Sequence, residues 1–163
     1  MTKKLSGPLA AATLGLALPA LAQVPAALTA PGDNVLATLG ATGVQVYECG
    51  AGGGGLAWAF KEPRAELFRD GRRIGRHFAG PSWEHEDGSR IVAKGVARAD
   101  APGTGDIPWL RLEVTEHHGA GAFAKVRFVQ RINTRGGAAA GACPEAGRLL
   151  EVPYTADYVL IGG

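Results

Sequence analysis

The chain has 163 residues, with 17 Lys and Arg against 15 Asp and Glu. That length suits one domain with its own core and is short for two. So even a balance supplies no excess of positive charge for a nucleic-acid partner, and none is expected.

Residues 1–22 carry Lys3 and Lys4, an apolar run over Pro8–Leu18, and Ala20-Leu21-Ala22 before Gln23. A charged start, a short apolar core and a small-x-small site are the marks of a secretory signal peptide. The run is too short for a bilayer, and no later stretch approaches the roughly 20 apolar residues of a span. The expectation is an exported protein, periplasmic or extracellular, cleaved after Ala22, with no membrane span. The first mature residue would be Gln23 and not a cysteine, so no lipid anchor is expected. Both leader lysines are lost on cleavage, which leaves 15 positive and 15 negative side chains. The mature chain is expected to be a monomer.

Residues 23–33 are rich in Pro and Ala and read as an extended lead-in to a single β-domain over 34–163. Within that domain the dominant pattern is alternation of period two, bounded by Gly, Pro and Asp-Gly. Runs at 43–49, 56–61, 73–79, 89–98, 107–118, 123–134 and 156–161 are predicted strands. In 107–118, Leu110, Leu112 and Val114 share one face, which Glu116 and His118 continue. In 123–134, Ala124, Val126, Phe128 and Ile132 are predicted to point inward, and Lys125, Arg127, Arg131 and Asn133 outward. The last strand is apolar on both faces and is expected to be central or covered. Pro63–Phe68 reads as a single helical turn, and no stretch carries a stripe of period 3.6. Asp70-Gly71 and Asp87-Gly88, in segments that repeat 17 residues apart, each signal a hairpin. The fold class predicted is all-β, an antiparallel sandwich or barrel with little helix.

Cys49 and Cys143 are the two cysteines. In an exported chain such a pair is expected as a disulfide rather than as a thiol nucleophile or a metal site. It would close a loop of about 95 residues, for which the chain-entropy model gives about 4 to 5 kcal/mol.

Gly50–Gly55 spells G-x-G-x-x-G after a strand. The next segment, Leu56–Glu62, reads as strand and runs into Pro63. No helix N-terminus is therefore available for a pyrophosphate, and no cofactor is expected. The densest polar cluster is Gly80–Ser89. Its His85, Asp87 and Glu84, with His77 on the neighbouring strand, are candidate acid–base residues. A solvated strand end before a turn is the simpler reading, and the spacing supplies no metal site. Glu116 and His118 at a strand end, and Gln130 on an apolar face, are further binding candidates. Gln130 needs a buried partner, either main chain or Asp157. Trp83, Trp109 and Tyr154 are candidate aromatic contacts, with core packing the simpler role for each.

Several ordered motifs add to this. They are Gly43-Val44-Gln45-Val46-Tyr47-Glu48-Cys49, Ala57-Trp58, Gly80-Pro81-Ser82-Trp83-Glu84, Asp87-Gly88-Ser89 and Ile107-Pro108-Trp109-Leu110. Val129-Gln130-Arg131-Ile132-Asn133-Thr134 and Val152-Pro153-Tyr154-Thr155-Ala156-Asp157-Tyr158 complete the set. With them the chain resembles, from about residue 31 to 161, the exported bacterial and fungal family known as domain of unknown function 3455. The resemblance implies no activity and carries no catalytic residue. The apolar Val159-Leu160-Ile161 departs from the aromatic ending more usual in that family.

The function expected is that of a binding module for a small molecule, glycan or envelope component. Its rivals are a hydrolase- or cyclase-like enzyme on the His/carboxylate cluster, and a structural or stress-related envelope protein without ligand.

Overall fold

The structure is a computed structural model that describes residues 23–30 and 34–163. The signal-peptide expectation falls outside the described residues. Eight antiparallel strands succeed one another around a closed barrel. They are β1 (Asn34–Gly52), β2 (Gly55–Arg69), β3 (Arg72–Phe78), β4 (Ser82–His85), β5 (Arg90–Ala99), β6 (Trp109–His118), β7 (Val126–Gly136) and β8 (Leu149–Gly162). The all-β expectation holds, and the barrel alternative is the one realised. β1 pairs with β8 from Asn34↔Gly162 to Glu48↔Leu149, so the sheet has no free edge. Both Asp-Gly segments lie in hairpins, β2–β3 and β4–β5. At the first, Asp70 and Gly71 both take positive φ, as a two-residue hairpin turn requires.

Pro63–Phe68 is strand, not a helical turn. Pro63 donates no hydrogen bond, and it sits beside a bulge where Val46 pairs with Glu62 and Tyr47 with Phe60, leaving Lys61 unopposed. A second bulge corrects the facing of β7. Val126 pairs with Gly162 and Phe128 with Ile161, so Arg127 is the extra residue. One extra residue reverses the faces beyond it. Val126 and Val129 therefore join the interior cluster, while Phe128 and Ile132 lie in a second, outer cluster.

The inner core is built from Leu39, Leu67, Trp83, Ile91, Leu112, Val129, Tyr158 and Leu160, among others. The outer cluster explains why β8 is apolar on both sides. The lead-in lies across β5 to β8, with Leu28 fully buried against Trp109, Ile132, Val159 and Ile161. The turn Ala26–Leu28 shapes that crossing. Gln130 Nε2 donates to the Leu28 carbonyl at 2.5 Å and Arg111 donates to that of Thr29.

The two barrel ends differ. At one, the β6–β7 loop turns Phe123 into the core, where it is buried. The Asp87 carboxylate accepts from the Ala122 N–H at 2.8 Å and the Ser89 hydroxyl accepts from the Phe123 N–H at 3.2 Å, which holds that plug. At the other end the β7–β8 loop is tied to β1 by a Cys49–Cys143 disulfide, with Cα atoms 5.7 Å apart. The expected bridge is thus present.

This architecture makes two substitutions informative. Replacing both cysteines by serine is expected to cost about 2 to 5 kcal/mol in urea unfolding. Gly43 lies between Ala65 on β2 and Tyr154 on β8, and a Cβ there would fall 2.5 Å from the Ala65 Cα. At Gly40, on the same strand, a Cβ meets nothing within 4 Å. Gly43→Ala should therefore destabilise by about 1 to 3 kcal/mol, whereas Gly40→Ala should change the unfolding midpoint little.

Candidate functional site

An eight-stranded barrel has an interior just wide enough to be filled by side chains or to hold one small ligand. In this barrel the two ends differ. The plugged end is filled. At the disulfide end two cavities, of about 590 and 300 Å³, adjoin at Phe60, Leu110 and Arg131. Strand register brings their walls together. His77 pairs with Trp83, Leu110 with Arg131, and Arg131 with Tyr158.

The inner, smaller cavity has an aromatic wall. The His77 and Trp83 rings stack with centroids 4.3 Å apart, and Tyr158 meets them edge-on at 5.0 and 5.4 Å. His77 is buried, and its Nδ1 lies 2.8 Å from the Ser82 carbonyl oxygen. A carbonyl can only accept, so Nδ1 carries the proton and Nε2 is left as an acceptor. Burial pushes the His77 pKa down to about 3, which keeps the ring neutral. Burial likewise pushes Tyr154 and Tyr158 up, and their hydroxyls lie 3.3 Å apart.

Arg131 is the charged group at the junction. The β7 bulge that reverses the faces turns it inward, correcting the outward placement expected from simple alternation. Its Nε and Nη2 donate to the Pro108 carbonyl at 3.1 and 2.8 Å, and it interacts with the Tyr158 hydroxyl. Both partners are neutral. Gln45 interacts with the Tyr154 hydroxyl, while the buried Trp83 Nε1, like Trp109 Nε1 and Arg111 Nε beneath the lead-in, has no hydrogen-bond partner.

The other sequence candidates are spread over the molecule. His85 contacts Asp87 at 3.1 Å and packs edge-on against Phe123 at the plugged end. The Ser89 hydroxyl, with main-chain N–H groups adding to it, holds the Asp87 carboxyl well below the usual carboxylate range. Glu84 pairs with Arg76 at 2.8 Å. Tyr154 lies in the inner core, next to the site. Trp109 and Gln130 lie on the outer face beneath the lead-in, and the partner of Gln130 is main chain rather than Asp157. In β6, Val92 pairs with Glu116 and Ala93 with Val114, so Thr115 is an extra residue. This bulge takes Glu116 and His118 off the face of Leu110 and Leu112. They are exposed and contact each other at 3.2 Å. Among the described residues no group of three His, Cys, Asp or Glu is placed to hold a metal ion.

Sequence reasoning missed Arg131, Tyr158, Gln45 and Phe60 as site residues. The one available signal was Phe128-Val129, adjacent apolar residues that break the period of two.

A pH dependence arises from His77. Its folded pKa of about 3 lies below the unfolded value of 6.5, so the unfolded chain takes up a proton that the native ring refuses. The stability from this group is complete above 6.5 and is lost as pH falls toward 3, at up to about 1.4 kcal/mol per unit. Urea midpoints measured between pH 7 and 4.5 should fall less steeply for His77→Gln than for the unaltered protein.

No match is found among curated proteins or among solved structures. A family model does match, over residues 30–162, which takes in the whole barrel. The chain belongs to that family, the proteins of unknown function designated DUF3455.

Proposed function

We propose that this protein is an exported binding barrel that takes a small organic molecule into the cavity at its disulfide-tied end. The observation that carries this reading is the inner cavity of about 300 Å³, walled by His77, Trp83 and Tyr158 and reached past Arg131. A mostly apolar recess with a few convergent polar groups is the usual form of a small-molecule site. The Arg131 guanidinium supports it, because it lines both cavities and its hydrogen bonds go to a neutral carbonyl, which leaves donors for a bound ligand.

Export is part of the same proposal. It rests on the leader and on the Cys49–Cys143 bridge, which persists in oxidising compartments. Barrel closure removes the sheet edges through which strands of two copies pair, and so supports a monomer.

The test is native mass spectrometry of protein expressed with its leader and recovered from the periplasm. The expected result is a chain beginning at Gln23 that carries a non-covalent small-molecule adduct. Leu110→Trp places a large ring where the two cavities adjoin and should remove the adduct while thermal unfolding remains cooperative. An adduct equally abundant on Leu110→Trp, or no adduct on the unaltered protein, would overturn the reading.

A further inference from the structure

We propose that the ligand of this cavity is a small ring-bearing carboxylate. Its carboxylate binds the Arg131 guanidinium, and its ring lies by Phe60 and Leu110, where the two cavities adjoin. The inference rests on the binding reading above and adds the chemical class.

Charge is the first ground. The lining of the inner cavity contains Arg131 and Lys61 and no acidic side chain. Lys61 is neutralised by Glu48 at 2.5 Å. Arg131 has only the Pro108 carbonyl and the Tyr158 hydroxyl. A partly buried cation with only neutral partners is costly, and an anion bound to it removes that cost. The two bonds to Pro108 use two of the five N–H groups that any guanidinium carries. The remaining donors suit a planar carboxylate.

The number of charges is the second ground. His77 cannot serve as a counter-cation because burial keeps it neutral, so one positive charge remains. One charge matches a monoanion better than a phosphate ester, which carries nearly two.

Size is the third. A cavity of about 150 Å³ takes benzene. At about 300 Å³ the inner chamber admits one substituted ring. The exposed Phe60 ring, which lines both cavities, favours a ring over a flexible aliphatic acid.

The test uses the mature protein with its disulfide intact. Benzoate, benzamide and phenyl phosphate are titrated by calorimetry, with ¹H–¹⁵N spectra of the indole groups. Benzoate should bind at least about tenfold more tightly than benzamide and more tightly than phenyl phosphate. The Trp83 indole peak should move. That of Trp109, on the outer face, should not. Arg131→Gln should weaken benzoate by about ten- to a hundredfold and leave benzamide unchanged. Its unfolding midpoint should equal or exceed that of the unaltered protein, because an unpaired charge has been removed. Equal binding of benzoate and benzamide, or tighter phenyl phosphate, would overturn the carboxylate class and leave the binding reading intact. Absence of binding by all three, with a native adduct still present, would do the same. Absence of both would end both proposals.

Discussion

The pairing of β1 with β8 is the constraint on which this molecule depends. These are the first and last strands, and their ladder runs from Asn34↔Gly162 to Glu48↔Leu149. Until it forms, the sheet has two free edges and no enclosed interior, hence no cavity. Contacts so distant in sequence are slow to form, because loop-closure entropy is lost before they stabilise the chain. The disulfide acts on that seam. Cys49 comes just after the last rung of the ladder, and Cys143 lies in the loop that leads into β8. Main-chain bonds from Cys49 to Arg148 and from Gly147 to Cys49, each 2.8 Å, close the seam beside the sulfurs.

Closure alone does not leave an open cavity. The difference between the two ends does. At one end the Asp87–Ser89 turn holds the β6–β7 loop so that Phe123 fills the interior. The polar cluster that stands out in the sequence as a possible acid–base site thus lies at the filled end, with Asp87 accepting bonds from Ser89 and Ala122. At the other end the longer β5–β6 and β7–β8 loops form a rim, and Tyr47 anchors it by donating to the Gly137 carbonyl at 2.7 Å. The interior below that rim sets polar and aromatic side chains among aliphatic ones such as Leu110 and Leu112. Gln45, His77, Arg131 and Tyr158 occupy positions that Leu, Val or Ile would fill in a solid core.

The lead-in contributes in a less obvious way. It covers the outer face of β5 to β8, so Val159 and Ile161 can be apolar without facing water. Gln130 and Arg111 fasten it through the carbonyls of Leu28 and Thr29. With one apolar face of β7 covered by this segment, the opposite face is free to carry Arg131 into the barrel. The many Arg and Glu residues on β2, β3 and β4 form ion pairs across neighbouring strands, among them Arg73–Glu66 and Arg76–Glu84. Such half-exposed pairs contribute little stability each and mainly keep that surface solvated.

Much of the fold was legible in local pattern. Alternation and Asp-Gly turns specify short-range geometry, since the side-chain period of a strand and the φ demands of a tight turn are properties of a few adjacent residues. Hence the strand class, the hairpins at Asp70-Gly71 and Asp87-Gly88, and the inward face of Leu110, Leu112 and Val114 were readable. Two cysteines in a chain with an export-type leader specified their own bridge. What alternation cannot specify is which side is in once a bulge intervenes, because one extra residue reverses every side chain beyond it. The bulges opposite Ile161 and Val92 did this, turning Arg131 inward and Glu116 and His118 outward. A strand apolar on both faces, as in β8, also says nothing about which face meets a covering segment and which the core. Register between distant strands decided that. It set His77, Trp83, Arg131 and Tyr158, which lie on four of the barrel's eight strands, around one cavity whose existence depends on the ring being closed.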